Sequence, residues 1–308
     1  MAALDLYRKE VEANGDPRGL YNVGRMYEIG LGVKKSDEEA AKWYRRAAEQ
    51  GSIGAQHKMG FMYLHGNGVE QSDEEAAKWF RKAADQGDAD AQFILGSFYS
   101  DGRGVEQSDE EAVEWFRKAA EQGDPSAQFK LGWAYEEGWG VEQSGEEAVR
   151  WYKLAADQGD YLAQAALGHI YGYGVGVEKD LKEAKKWYGI LASKGDHSAV
   201  ANLGCLAYME GSEQSYEEAR RLFEKASDMG SSLSKVFLAS MYIDGLAVEA
   251  SKEKALELLS GVSDDEDEDV QRAIALVKSG DWNGCNLEIK KLIFSPVEYV
   301  PPELLPPD

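Results

Sequence analysis

Small and apolar positions along this chain recur at helical spacing, and the helical pattern itself recurs every thirty-six residues. Ala55, Met59, Gly60 and Tyr63 share one arc of a helix predicted from about Ala55 to Leu64, the spacing of a buried face. A second helical segment follows, with Ala76, Trp79, Phe80, Ala83 and Ala84 inward and Lys78, Arg81 and Lys82 outward. The same phrase then returns: residues 69–87 read VEQSDEEAAKWFRKAADQG and residues 105–123 read VEQSDEEAVEWFRKAAEQG. Trp43, Trp79, Trp115, Trp151 and Trp187 keep one register, as do Gly15, Gly51, Gly87, Gly123, Gly159 and Gly195. Met59-Gly60 with Tyr63 recurs as Leu95-Gly96 with Tyr99, Leu131-Gly132 with Tyr135 and Leu167-Gly168 with Tyr171. A period of this length marks a two-helix unit that buries its apolar face only against neighbouring copies.

Local signals agree with that unit. A glycine inside a helix costs about 1 kcal/mol against alanine, so its recurrence in the first helix predicts a close neighbour, with Ala76, Ala83 and Ala84 as the expected opposite face. The connection Gly66-Asn67-Gly68-Val69 joins helix to helix with no strand before it and no Gly-Lys-Ser/Thr after it. It therefore predicts a left-handed stop rather than a phosphate loop. Second helices open with Ser36…Glu39, Ser72…Glu75, Ser108…Glu111, Ser144…Glu147 and Ser215…Glu218, the spacing of capping boxes. Acids gather in the first turn and bases come later, which complements the helix dipole. First helices begin after aspartate, twice with proline next, in Asp16-Pro17 and Asp124-Pro125.

The combined pattern, Ala-x3-Leu-Gly-x2-Tyr-x2-Gly-x-Gly-Val followed by Ala-x2-Trp-Tyr/Phe-x2-Ala-Ala-x2-Gly, resembles the Sel-1-like repeat family, a longer relative of the tetratricopeptide repeat. Five strong units cover residues 16–195. A sixth, 196–230, keeps Leu203-Gly204 but has Leu222-Phe223 for the Trp-Tyr pair. A seventh, 231–262, has Ala247 for the second loop glycine. The resemblance implies an all-α, right-handed superhelical solenoid of about seven helix–turn–helix repeats, acting as a non-enzymatic adaptor or scaffold for protein complexes. Residues 1–15 are expected to form a capping helix, with Tyr7 thirty-six residues before Trp43. Residues 16–262 form the solenoid, and residues 263–308 a capping helix and proline-rich tail.

Charge narrows the partner. With 34 basic and 56 acidic residues the net charge is −22, which disfavours nucleic acid and favours a basic protein partner. Cys205 and Cys285 offer neither a disulfide framework nor metal-ligand spacing. Asp5, Arg8, Lys9 and Glu10 interrupt any signal-peptide run, and no stretch is apolar for the roughly 18 residues of a membrane span. A cytoplasmic protein without cofactor or metal is the expectation.

Solenoids bind partners along surfaces that the repeat consensus leaves free. Opposite the buried arc of the first helices stand His57, Phe61, Leu64 and His65, then Phe93, Ser97 and Asp101, then Phe129, Trp133 and Glu137, then His169 and Tyr173. Trp139 adds a ring within its glycine loop. Rings on a face that should be polar predict interface anchors. His57, Phe61, Phe93, Phe129, Trp133, Trp139, His169 and Tyr173 are therefore the candidate partner-binding residues, with Phe61, Phe93, Phe129 and Trp133 as a groove floor rimmed by acids. The competing reading packs this face between repeats. Alanine at Phe129 and Trp133 separates the two: the first expects lost capture with intact melting, the second lost stability.

Other constellations carry less. His57, His65, His169 and His197 form no His-Glu-x-x-His. Ser232…Lys235 and Ser251…Lys254 match Ser-x-x-Lys, but at expected helix starts and without the Ser-Asp-Asn and Lys-Thr-Gly companions. A β-lactamase-like hydrolase, suggested by some secreted bacterial members of the family with a disulfide in each repeat, is thus a third reading. An inhibitor or immunity-type protein neutralising a basic toxin or enzyme stands second. Beyond the acidic run 264–269, VQRAIALVKSG predicts a helix, Trp282-Asn283-Gly284-Cys285 a turn, and LEIKKLIF an amphipathic lid over the last repeat. The segment SPVEYVPPELLPPD holds five of seven prolines and predicts extended chain, as a cap or as a docking peptide.

Overall fold

Helices begin where short polar side chains replace the missing backbone partners. Asp16 accepts from the backbone N–H groups of Arg18 and Gly19 ahead of Pro17, and Ser36 Oγ accepts from Glu39 N at 3.2 Å. The computed structural model describes residues 13–260 and 281–294, with residues 8, 9, 11, 262, 271, 272, 274–276 and 279. Every regular element among them is an α-helix, and those with both ends described form seven pairs and one further helix. The pairs are α1 (Pro17–Ile29) and α2 (Asp37–Glu49), α3 (Ile53–His65) and α4 (Asp73–Asp85), α5 (Ala89–Asp101) and α6 (Asp109–Glu121), and α7 (Pro125–Glu137) and α8 (Gly145–Asp157). Then come α9 (Tyr161–Tyr173) and α10 (Leu181–Ser193), α11 (His197–Glu210) and α12 (Glu213–Asp228), α13 (Ser232–Asp244) and α14 (Lys252–Ser260), and finally α15 (Trp282–Phe294). The chain divides into two compact units, Met1–Ala155 and Ala156–Asp308.

In each unit, successive helices pack against their chain neighbours and bury one continuous stripe. Leu20, Met59, Leu95 and Leu131 are fully buried on the first helices of unit 1. Tyr44, Phe80, Phe116 and Tyr152 face them from the second helices. The recurrent first-helix glycine exists for these rings rather than for the alanines: a Cβ on Gly60 would lie 2.6 Å from Phe80, and on Gly96 2.7 Å from Phe116. The loop glycines have two duties. Gly66, at φ +70°, ends α3 in the left-handed conformation that any Cβ resists. Gly68, also at φ +70°, lies against the backbone of Asp37 in the preceding repeat, where a Cβ would overlap the carbonyl.

The capping boxes are one-sided. Ser36, Ser72, Ser108 and Ser144 cap, but Glu39, Glu75 and Glu147 reach forward to Lys42, Lys78 and Arg150. In the sixth repeat Ser212, not Ser215, is the cap. Ser212 and Ser215 exchange both bonds, and α12 starts three residues early. Ser231 likewise caps α13 in place of Ser232. The expected turn at Trp282 is instead the first turn of α15, because Asp281 accepts from Gly284 N at 2.9 Å and caps it. Tyr7, the acidic run 264–269 and the proline-rich segment lie outside the described residues. The described part of the N-terminal stretch is helical, with Val11 buried against Gly19 and the Arg8 guanidinium over the Tyr27 and Trp43 rings.

A buried ladder of glutamines, not anticipated from the sequence, ties repeat to repeat. Gln56, Gln92 and Gln128 donate to the carbonyls of Ala48, Ala84 and Ala120 at 3.0–3.1 Å. Gln86 and Gln122 then donate to Gln56 and Gln92 at 2.7 Å. Each amide adds a second donor to a second-helix carbonyl that also accepts from the following glycine N–H, and that bond is why a polar side chain is tolerated in that dry position.

Candidate partner-binding face

The outward side of the first helices in unit 1 is a set of columns that step by one repeat. In the first column Tyr21, His57, Phe93 and Phe129 each sit on the second-helix ring of their own repeat. Centroids are 5.3 Å from Tyr44, 5.8 Å from Phe80, 5.6 Å from Phe116 and 5.5 Å from Tyr152. One turn later come Arg25, Phe61, Ser97 and Trp133. Because each glycine admits a ring from below, that ring forms the platform on which the outward residue rests.

The eight predicted residues fall into three groups. Phe129 is only 4% exposed, so its ring is core and not a surface anchor; the packing reading describes it, and the groove floor loses one member. His57, Phe61, Phe93, Trp133 and Trp139 are half-buried, with one side on the core and the other outward. Trp139 bridges them, 6.4 Å from Phe116 and 5.6 Å from Trp133. His57 stands edge-on to Phe61 at 5.0 Å, and exposed His65 stacks over Phe61 at 6.0 Å. His169 and Tyr173 belong to unit 2, 5.0 Å from each other. Exposed Asp101 and Glu137 follow the rings by one turn and supply the acidic rim.

Two glutamates at equivalent positions show how the setting decides charge. Glu28 accepts from Tyr44 Oη at 2.5 Å and pairs with Lys58 at 2.8 Å. Burial pushes its carboxyl up, but the Lys58 and Tyr44 bonds outweigh burial and hold it below the ordinary carboxylate range. Glu136 accepts from Tyr152 Oη at 2.6 Å, yet burial, with the neighbouring Glu137 charge, raises its pKa. Stability linked to a raised carboxyl is fully present below the unfolded pKa and is lost as pH rises through the folded one. Glu136→Gln keeps an acceptor for Tyr152 without the charge. It is expected to raise the melting midpoint at about pH 7, with the gain shrinking towards about pH 4; a lower midpoint at neutral pH would contradict the raised pKa.

Unit 2 holds a feature that sequence reasoning missed. A cavity of about 390 Å³ opens between α9, α10 and α11, lined by Tyr161, His169, Tyr173, Tyr188 and Asp196 among others. Ala165 and Ala201 stand there in the column that carries Tyr21, Phe93 and Phe129 earlier, so a cavity opens above Tyr188, itself only 3% exposed, where a ring packs in the earlier repeats. That break in the column was the available signal. Tyr161 Oη donates to Asp196 at 2.5 Å across the mouth. The buried His169 Nε2 has no hydrogen-bond partner among the described residues, and burial lowers its pKa to about 4. Ser232 lines the cavity too, while Ser251 Oγ accepts from Lys254 N and is a cap.

Among the described residues no group of three or more His, Cys, Asp or Glu is placed to hold a metal ion, and no helix is long and apolar enough to cross a membrane. The Sel1 repeat pattern matches residues 17–52, 53–88, 89–124, 125–160, 162–196, 197–231 and 232–260. A Sel1 repeat protein from Oxalobacter formigenes is 36% identical with a TM-score of 0.62, over 89% of this chain and 79% of that one. A protective antigen present in uropathogenic Escherichia coli strains, displaying an SLR fold, is 28% identical with a TM-score of 0.56, over 92% and 73%. An immunity protein from Pseudomonas aeruginosa superposes with a TM-score of 0.37 at 25% identity over 61% and 72%, too loosely to say anything of this chain's partner. No curated protein matches the sequence.

Proposed function

This chain belongs to the Sel1 repeat family, whose members commonly mediate protein–protein interaction, and on that premise we propose that it is a non-enzymatic binding scaffold whose partner lies along the first-helix face of unit 1. The observation that carries this reading is the run of half-buried rings Phe93, Trp139 and Trp133 over Phe116. Rings held on one side and open on the other lose little side-chain freedom when covered, which suits them as anchors. Phe61 with His57 and His65 continues the face in the second repeat. Asp101, Glu137 and the net charge of −22 favour a basic segment.

Alanine at Phe93, Trp133 and Trp139 together tests the reading in an affinity capture from the native cell followed by titration of the captured protein. Affinity is expected to fall by about thirtyfold or more, with a helical signal that persists. Binding by the intact protein is also expected to weaken as salt rises. Undiminished capture by the triple variant would remove this face from the function.

A further inference from the structure

On unit 2 the first-helix face of the last two repeats is already covered, and by the chain itself. α15 crosses α11 and α13, with Ile289 and Ile293 fully buried. Lys290 pairs with Asp244 at 2.6 Å, and Tyr173 Oη donates to the Ile293 carbonyl at 3.4 Å. Asp244 and Tyr173 occupy the same register position in the seventh and fifth repeats. The helix therefore runs along one column and delivers the chain, at Phe294, to the end of α9. Tyr173 is also a wall of the 390 Å³ cavity.

Residues 295–308, SPVEYVPPELLPPD, follow directly and lie outside the described residues. Five prolines favour an extended left-handed backbone that rises ~3.1 Å per residue and leaves its carbonyls without internal partners. Segments of this kind dock on aromatic-lined slots, where rings stack on proline and ring-borne donors meet the carbonyls. The cavity offers those elements: the Tyr161 and Tyr173 rings, and a buried His169 nitrogen with no partner among the described residues. Glu298, Glu303 and Asp308 are the segment's only charged residues, so stacking and hydrogen bonds must hold it rather than charge.

We propose that residues 295–308 dock on their own molecule in the cavity between α9, α10 and α11, with prolines stacked on Tyr161 and Tyr173 and a carbonyl accepting from His169. The His169 ring stays neutral in the slot, since burial holds its pKa at about 4. This site is separate from partner capture on unit 1, and neither depends on the other.

A labelled synthetic peptide of residues 295–308 tests it by fluorescence anisotropy against two full-length chains, the native one and one whose five terminal prolines are serine. The serine variant is expected to bind the peptide about tenfold or more tightly than the native chain, whose own segment competes at high effective concentration. Ala165→Phe restores the ring that Phe93 and Phe129 supply elsewhere. Added to the serine variant, it is expected to abolish binding with an unchanged melting curve. Equal binding by both chains would show an open cavity that takes a proline-rich segment of another molecule, and would overturn the proposal. So would no binding by either chain, binding insensitive to Ala165→Phe, or a native chain that dimerises through the same residues. None of these outcomes bears on the unit 1 triple variant.

Discussion

Gly68→Ala is expected to cost about 2–5 kcal/mol of stability, while Gly87→Ala, also at a left-handed glycine, costs only about 1–2 kcal/mol. Gly68 at φ +70° and Gly87 at φ +92° both impose the strain of a left-handed L residue. Around Gly87 nothing lies within 4 Å of an added Cβ, so strain is the whole cost. At Gly68 the Cβ would overlap the Asp37 carbonyl and crowd Glu38 N. These are backbone atoms at the start of a capped helix, which cannot swing away as a side chain would. The loop must lift off the preceding repeat, and the damage falls on an interface between repeats, where solenoid stability largely resides. Urea titrations followed by circular dichroism check the difference, and equal losses at the two sites would refute the contact. The converse holds at Ala247, which keeps φ 54° where the first five repeats have glycine. Ala247→Gly is expected to gain about 1 kcal/mol.

Features read from local rules transferred well to the structure, and features that depend on direction in space did not. The period, the left-handed stops at Gly30 and Gly66, the caps at Asp16 and Asp124 and those at Ser36, Ser72, Ser108 and Ser144 each depend on a few consecutive residues, and the structure places them as read. The glycine of the first helix was recognised as a close approach, but its neighbour was misassigned. Spacing along a helix says that Gly60 and Ala83 both face inward; it does not say that the Phe80 ring, one turn away, fills the gap. The outward columns had the same limit. His57 and Phe129 share a register position, yet one is half-buried and the other lies in the core. Buried glutamines were invisible because a lone polar residue at a helix start reads as exposed until the opposing carbonyl is known. The cavity was written only as an omission, alanine at residues 165 and 201 where rings stand elsewhere, and its walls come from four helices. α15 required a distant fact of the same kind: its apolar face has meaning only beside Cys205, Phe237 and Met241.

Phe129→Ala and Trp133→Ala, four residues apart on α7, are expected to behave oppositely. The Phe129 ring is 4% exposed and rests 5.5 Å from Tyr152, itself 1% exposed. Removing it leaves a cavity over a buried tyrosine whose hydroxyl is tied to Glu136. Neighbouring side chains cannot collapse inward, because Tyr152 is wedged against Gly132, where a Cβ would lie only 2.7 Å from the ring. A loss of about 3–5 kcal/mol follows for a large buried aromatic in so stiff a setting. Trp133 sits one turn on and is half-buried, its main described partner being Trp139 at 5.6 Å. Truncating it removes a surface ring pair, a loss of about 0.5–1.5 kcal/mol beyond the exposed area given up. Chemical denaturation of the two single variants separates them. Comparable stabilities would return Phe129 to the partner face, whereas a large loss confined to Phe129 makes the Phe129/Trp133 double variant unfit for judging capture. Only the outward rings Phe93, Trp133 and Trp139 can then report on binding without first disturbing the fold.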